Sequence, residues 1–211
     1  MARENIVPLL GDMAPSRTEL RISIESSRDM GWYTLQEVSY NVEEAERISA
    51  FLLVPNSLDL SSGQKYPAII ACHQHGGRYE VGKSEPVGLC DEPANTFALT
   101  LCEAGYIVIC PENIGFESRR ERLADGTLMN GRENERWLFI SYLLHGRTLL
   151  GKNIADLSHA VDVLEALEFV DRWKIGICGH SMGGLMALWA GWYDTRIAAI
   201  ASSCGFSSLE V

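Results

Sequence analysis

Four short apolar runs organise the chain: YPAIIAC (66–72), YIVIC (106–110), Trp173 to Cys178, and IAAIASS (197–203). Each is nearly continuous rather than alternating, the pattern of a strand buried on both faces. Helical patterns lie between them. ANTFALTLCEAG (94–105) predicts a helix closed by Gly105. ENERWLFISYLLHG (133–146) predicts a second. Ile154, Leu157, Val161, Leu164 and Leu167 recur at helical spacing and predict an amphipathic helix over 152–169. MGGLMALWAGWY predicts a fourth. Strands alternating with helices predict an α/β fold, a mostly parallel sheet with helices on both faces.

Residues 18–54 differ, with three β-rich runs (LRISIES, YTLQEVSYNV, RISAFLLVP), the middle one alternating only imperfectly. NSLDLSSGQK reads as a polar turn region and Pro111 to Gly131 as irregular. Residues 1–17 read as a loose lead-in to one domain over 18–211.

The 211 residues suit one domain with a sizeable core. The formal charge is -10, with no basic stripe, so neither nucleic acid nor an anionic membrane is an expected partner. No apolar run reaches the roughly 18 residues of a membrane span, and the amino-terminal residues lack a signal-peptide pattern. Six cysteines occur without a C-x-x-C pair, and three of them fall in the apolar runs. Reduced thiols and a cytoplasmic location are the expectation.

Gly179-His180-Ser181-Met182-Gly183 matches G-x-S-x-G, between a predicted buried strand and a predicted helix. That context lets a strained turn project the serine oxygen from the carboxyl end of a sheet, with small residues letting strand and helix pass closely. Ser181 is the expected nucleophile. The Met182 N–H, at a helix start, is an expected oxyanion donor. His180 is read as packing at the turn, because the base must approach from a separate loop.

HQHGGRYEVGKS (73–84) has three readings. As a P-loop it fails, because Lys83-Ser84 runs into EPVGLCDEP, whose Pro86, Gly88 and Pro93 oppose the required helix. As a metal site, His73 and His75 lack a third ligand. As an oxyanion turn it follows a buried strand, with Gly76 and Gly77 allowing close backbone approach. The His75 N–H is the first choice of donor and Gly76 the second. No metal or cofactor is expected. Phe116, Trp137, Phe139 and Tyr142 read as a pocket wall or as core, with core favoured for Trp137.

These segments together resemble α/β-hydrolases of the dienelactone hydrolase and acetyl-xylan-esterase-like group. The resemblance runs from about residue 46 to 207, through RISAFLLVP, PAIIACHQHGG, GYIVICPENIGF, LLGKNIADLSHAVDVLEAL, GICGHSMGG and IAAIASSCGF. It implies a carboxyl-ester hydrolase with a Ser-His-Asp triad acting on a small-molecule ester. Ser181 matches the nucleophile, and His75 and Met182 match the oxyanion positions. The chain departs from the pattern after Ser181. No histidine follows, and the only acids there are Asp194, at the far end of a helix, and Glu210. The fold is therefore expected to stop after the strand that follows the elbow helix, without the triad acid and histidine. Competing readings are a catalytically silent half-domain serving as a binding or assembly module, or a peptidase or acyltransferase of the same fold.

Overall fold

A computed structural model describes residues 7–13, 19–43, 45–91 and 95–206. Seven strands form one sheet in the order β1-β2-β3-β5-β4-β6-β7. The strands are β1 (Ile22–Asp29), β2 (Tyr33–Glu43), β3 (Glu46–Pro55), β4 (Tyr66–Cys72), β5 (Ile107–Pro111), β6 (Val170–His180) and β7 (Ile197–Ser203). β1, β2, β3 and β5 pair antiparallel, whereas β5, β4, β6 and β7 pair parallel. The helices are α1 (Phe97–Glu103), α2 (Gly131–Leu144), α3 (Leu149–Ala166) and α4 (Met182–Tyr193). The fold class read from the sequence is the one observed.

The runs in β4 and β5 are central because both faces of the sheet are covered there, whereas the run 197–203, expected to be buried on both faces, forms the end strand β7 with only Ile197 buried among its residues. On one face α3 and α4 bury Ile70, Ile109, Ile175 and Ile177 against Leu157, Val161 and Ala187. On the other, α1 buries Ala98 and Cys102 against Leu35, Leu53, Val108 and Cys110. The Cys72 and Cys110 thiols are pushed well up by burial, and Cys102 up to about 12, so these behave as small hydrophobes.

Two further expectations change. The lead-in is packed where it is described: Leu10 and Met13 are buried with Ile154, and the Leu10 carbonyl accepts the Thr148 hydroxyl at 2.6 Å. Residues 1–6 and 14–17 of it lie outside the described residues. Trp137 is not core but 47% exposed, on a face of α2 turned outward. Of the four aromatics, Phe116 is the one fully in the interior.

Candidate active site

β6 carries the chain to the carboxyl edge of the sheet, and α4 leaves at once. At the junction Ser181 has φ 54° and ψ -119°, a conformation costly for a non-glycine residue. The surroundings enforce it. The Ser181 N–H donates to the Ser203 carbonyl of neighbouring β7 at 2.8 Å, and its own carbonyl accepts from Leu185 in the first turn of α4. A side chain on Gly179 would run into the Gly183 backbone, and one on Gly183 into the Cys72 carbonyl. One on Gly184 would sit 2.7 Å from the Ser203 carbonyl. The glycines of the motif are thus contact surfaces between β4, β6, β7 and α4.

Met182 opens α4. Its N–H is among the first-turn donors that a helix leaves unpaired, and it donates to no acceptor among the described residues. The end of β4 lies against this start: the position a Gly183 side chain would take is 2.7 Å from the His73 carbonyl oxygen. The turn that follows has Gly76 at φ 57° and Gly77 at φ 69°, both left-handed. The His75 carbonyl accepts Arg78 N–H at 3.2 Å. The His75 ring accepts Gly77 N–H on Nδ1 at 3.0 Å, so its Nε2 carries the proton and faces Glu135 Oε1 at 3.2 Å. Tyr79 donates to the other Glu135 oxygen at 2.6 Å. α2 thereby clamps the turn from outside.

Beneath the turn lies a buried charged cluster that the sequence did not announce. The His73 ring is fully buried, with Nε2 3.2 Å from Glu112 Oε1. Lys83 Nζ lies 2.8 Å from Glu117 Oε2 and 3.5 Å from Glu112 Oε2. Gly82 leaves no room for a side chain beside the Glu112 carboxylate. Burial pulls the His73 imidazole down, but the Glu112 hydrogen bond and charge outweigh it, and the net shift is upward. Burial raises Glu112. Glu117 also suffers burial, yet the Glu112 hydrogen bond and the Lys83 charge bring it down to about 2. The lysine of the G-x-x-x-x-G-K-S string is therefore consumed internally and sits in a turn, not at a helix start. The two imidazoles of His-x-His turn to different carboxylates, and no metal-holding group of three occurs among the described residues.

The other histidines are engaged elsewhere. His145 bonds the Ser141 carbonyl at the end of α2, and His159 pairs with Asp162 on α3. His180 ends β6, with Nδ1 3.0 Å from the Ser203 hydroxyl. Among the described residues no histidine hydrogen-bonds the Ser181 hydroxyl. Asp194 is held by Ser158 and Arg196 beyond the end of α4. Glu210 lies outside the described residues. Two hollows open at the carboxyl ends of the strands. One, of about 580 Å³, lies between the start of α1 and the ends of β6 and β7. The other, of about 140 Å³, is lined by Gln74, His75, Gly76 and Glu85, and Asn95 borders both.

Comparison with solved structures decides the fold. A provisionally assigned acetyl xylan esterase from Bacteroides fragilis superposes with a TM-score of 0.71 at 17% identity, over 88% of this chain and 48% of that one. The fold is that of the α/β-hydrolases. A glucuronoyl esterase from Solibacter usitatus matches this hydrolase fold with a TM-score of 0.60 at 19% identity, over 92% of this chain and 55% of that one. Bacillus subtilis YtaP, provisionally named a hydrolase, is 30% identical over 96% of this chain and 62% of its own length. The sequence profile of the prolyl oligopeptidase family (Peptidase_S9) matches residues 141–210. The chain thus spans 62% of YtaP and about half of each esterase. No helix among the described residues is long and apolar enough to cross a membrane.

Proposed function

We propose that this chain carries the nucleophile and oxyanion part of a serine hydrolase acting on carboxylic esters of small molecules. Ser181 attacks the ester carbonyl, and the N–H groups of His75 and Met182 receive the negative oxygen of the tetrahedral intermediate. On collapse the leaving oxygen takes up the proton that the Ser181 hydroxyl gave up, the alcohol departs, and the acyl group left on Ser181 is removed by water as the carboxylic acid. One observation carries the reading: Ser181 is held at φ 54° between β6 and α4, in a turn whose glycines admit no side chain. A hydroxyl presented that way reaches a substrate at the carboxyl edge of the sheet. The esterase names of two structural neighbours agree with ester chemistry. The buried thiols of Cys72, Cys102 and Cys110, packed as small hydrophobes, fit the reducing cytoplasm.

The test is covalent labelling by a fluorophosphonate. Labelling is expected in the parent protein and absent in Ser181→Ala. Labelling that survives the substitution removes Ser181 from the role. A second reading is favoured by the Peptidase_S9 match over 141–210, namely amide rather than ester cleavage by the same serine. Hydrolysis of a peptide anilide faster than of the matching ester selects it.

A further inference from the structure

We propose that His73 is the positioning residue of the oxyanion turn, aiming the His75 N–H through the peptide group that joins Gln74 to His75. This rests on His75 being a donor, as in the function proposed above. The geometry is short and direct. His73 Nδ1 lies 2.8 Å from the Gln74 carbonyl oxygen. A carbonyl only accepts, so Nδ1 bears the proton and donates. That carbonyl and the His75 N–H belong to one planar trans peptide and point in opposite directions. Fixing the oxygen therefore fixes the line of the N–H.

The ring that does the fixing is itself immobilised. It is wholly buried, edge-on to Phe116 at 4.9 Å between ring centroids. Its Nε2 lies 3.2 Å from both Glu112 Oε1 and the Asn113 nitrogen, at the carboxyl end of β5. Glu112 is held in turn by the Lys83 backbone N–H at 3.2 Å. The anchor thus reaches from the sheet to a single peptide. The next peptide has a looser hold: the His75 carbonyl takes Arg78 N–H at 3.2 Å, beside the exposed Gly76 and Gly77. This asymmetry favours His75 over Gly76 as the donor.

Side-chain replacements separate aiming from mere core filling. His73→Asn would place an amide N–H where Nδ1 stands, within reach of the Gln74 carbonyl. The longer amide of His73→Gln would extend toward Glu112 and abandon that carbonyl. Two readouts apply to the parent, His73→Asn, His73→Gln and Glu112→Gln, with melting temperature recorded for each. Amide exchange over residues 74–77 is expected to quicken at least about tenfold in His73→Gln and less in His73→Asn. The fluorophosphonate rate is expected to fall by about tenfold or more in His73→Gln, toward the roughly 10²–10³ lost with a whole oxyanion donor. His73→Asn is expected to recover part of it, and Glu112→Gln to fall between. Equal exchange of 74–77 in parent and His73→Gln overturns the proposal, as does a ranking that follows melting temperature alone. A parent that is never labelled counts against the proposed function, while the exchange ranking still decides the role of His73.

Discussion

Steric demand at single positions sets the strongest expectations at the residue scale. Gly183→Ala places a methyl into the Cys72 carbonyl, backbone against backbone, where neither side yields easily. A loss of about 3 kcal/mol, the upper range for overpacking, is expected from urea denaturation. A loss under about 0.5 kcal/mol, the scale of a neutral surface change, would mean that β4 and α4 are not in contact there. Charge makes a second prediction. Glu117 titrates at about 2 in the fold against an ordinary 4.5, so its contribution is present above 4.5 and lost as pH falls toward 2. Glu43, drawn down to about 2 by Arg147, behaves alike. His73 works in the opposite sense. Its raised value stabilises below its ordinary 6.5 and loses effect as pH climbs through the folded value. Denaturant midpoints between about pH 6 and about pH 2.5 are expected to fall steeply below about 4.5, and Glu117→Gln to be less stable at about pH 6 with a shallower fall. An unchanged slope in that variant would remove Glu117 from the acid limb. The strand-to-helix turn at Ser181 is legible from five letters because such a turn is a local object. The acids around the turn are not: Glu112 and Glu117 beneath it and Glu135 outside it reach residues of 73–84 across 29 to 60 positions, and no spacing rule spans that.

Periodicity locates the elements well where burial is two-sided, as in β4 and β5, but β6 runs from Val170 to His180 rather than from Trp173 to Cys178, and Trp173 is 74% exposed. Periodicity errs where burial is one-sided or set by a cap. α3 starts at Leu149 rather than 152 because the Thr148 hydroxyl accepts Gly151 N–H at 2.9 Å and caps the helix earlier. α2 was read as a helix with Trp137 inside, yet Trp137, Phe139, Ile140, Leu143 and Leu144 all face outward, while Asn134 and Leu138 are buried. The sequence of α2 is apolar on more than one side, so its period does not say which side meets the protein. The contrast is measurable. Leu143→Gln and Leu144→Gln are expected to change stability by under about 0.5 kcal/mol each. Leu138→Gln, at 2% exposure, is expected to cost about 3 kcal/mol through lost burial and a stranded amide. Equal costs at the three sites would mean that the outward face of α2 is covered in solution.

At the scale of the whole molecule the sheet is asymmetric. Its centre is sealed by α1 on one face and by α3 and α4 on the other, whereas among the described residues β7 pairs only with β6. Only Ile197 of that strand is buried, and Ala198 to Ser203 are exposed. A flat apolar edge with free backbone groups is a template for pairing with another chain. The net charge of -10 opposes such association at low salt. Screening weakens that opposition, since the Debye length drops to about 3 Å at 1 M. For the 211-residue chain taken by itself, self-association through β7 is therefore expected to rise with both protein concentration and salt. Ala199→Lys puts a charge on the exposed strand without removing core volume, and natural sheets guard their edges with lysine in this way. Light scattering of this variant is expected to stay flat across a salt series in which the parent's rises, with the melting point little changed. Scattering that rises equally in both places the contact away from β7, and the outward face of α2 becomes the surface to alter next.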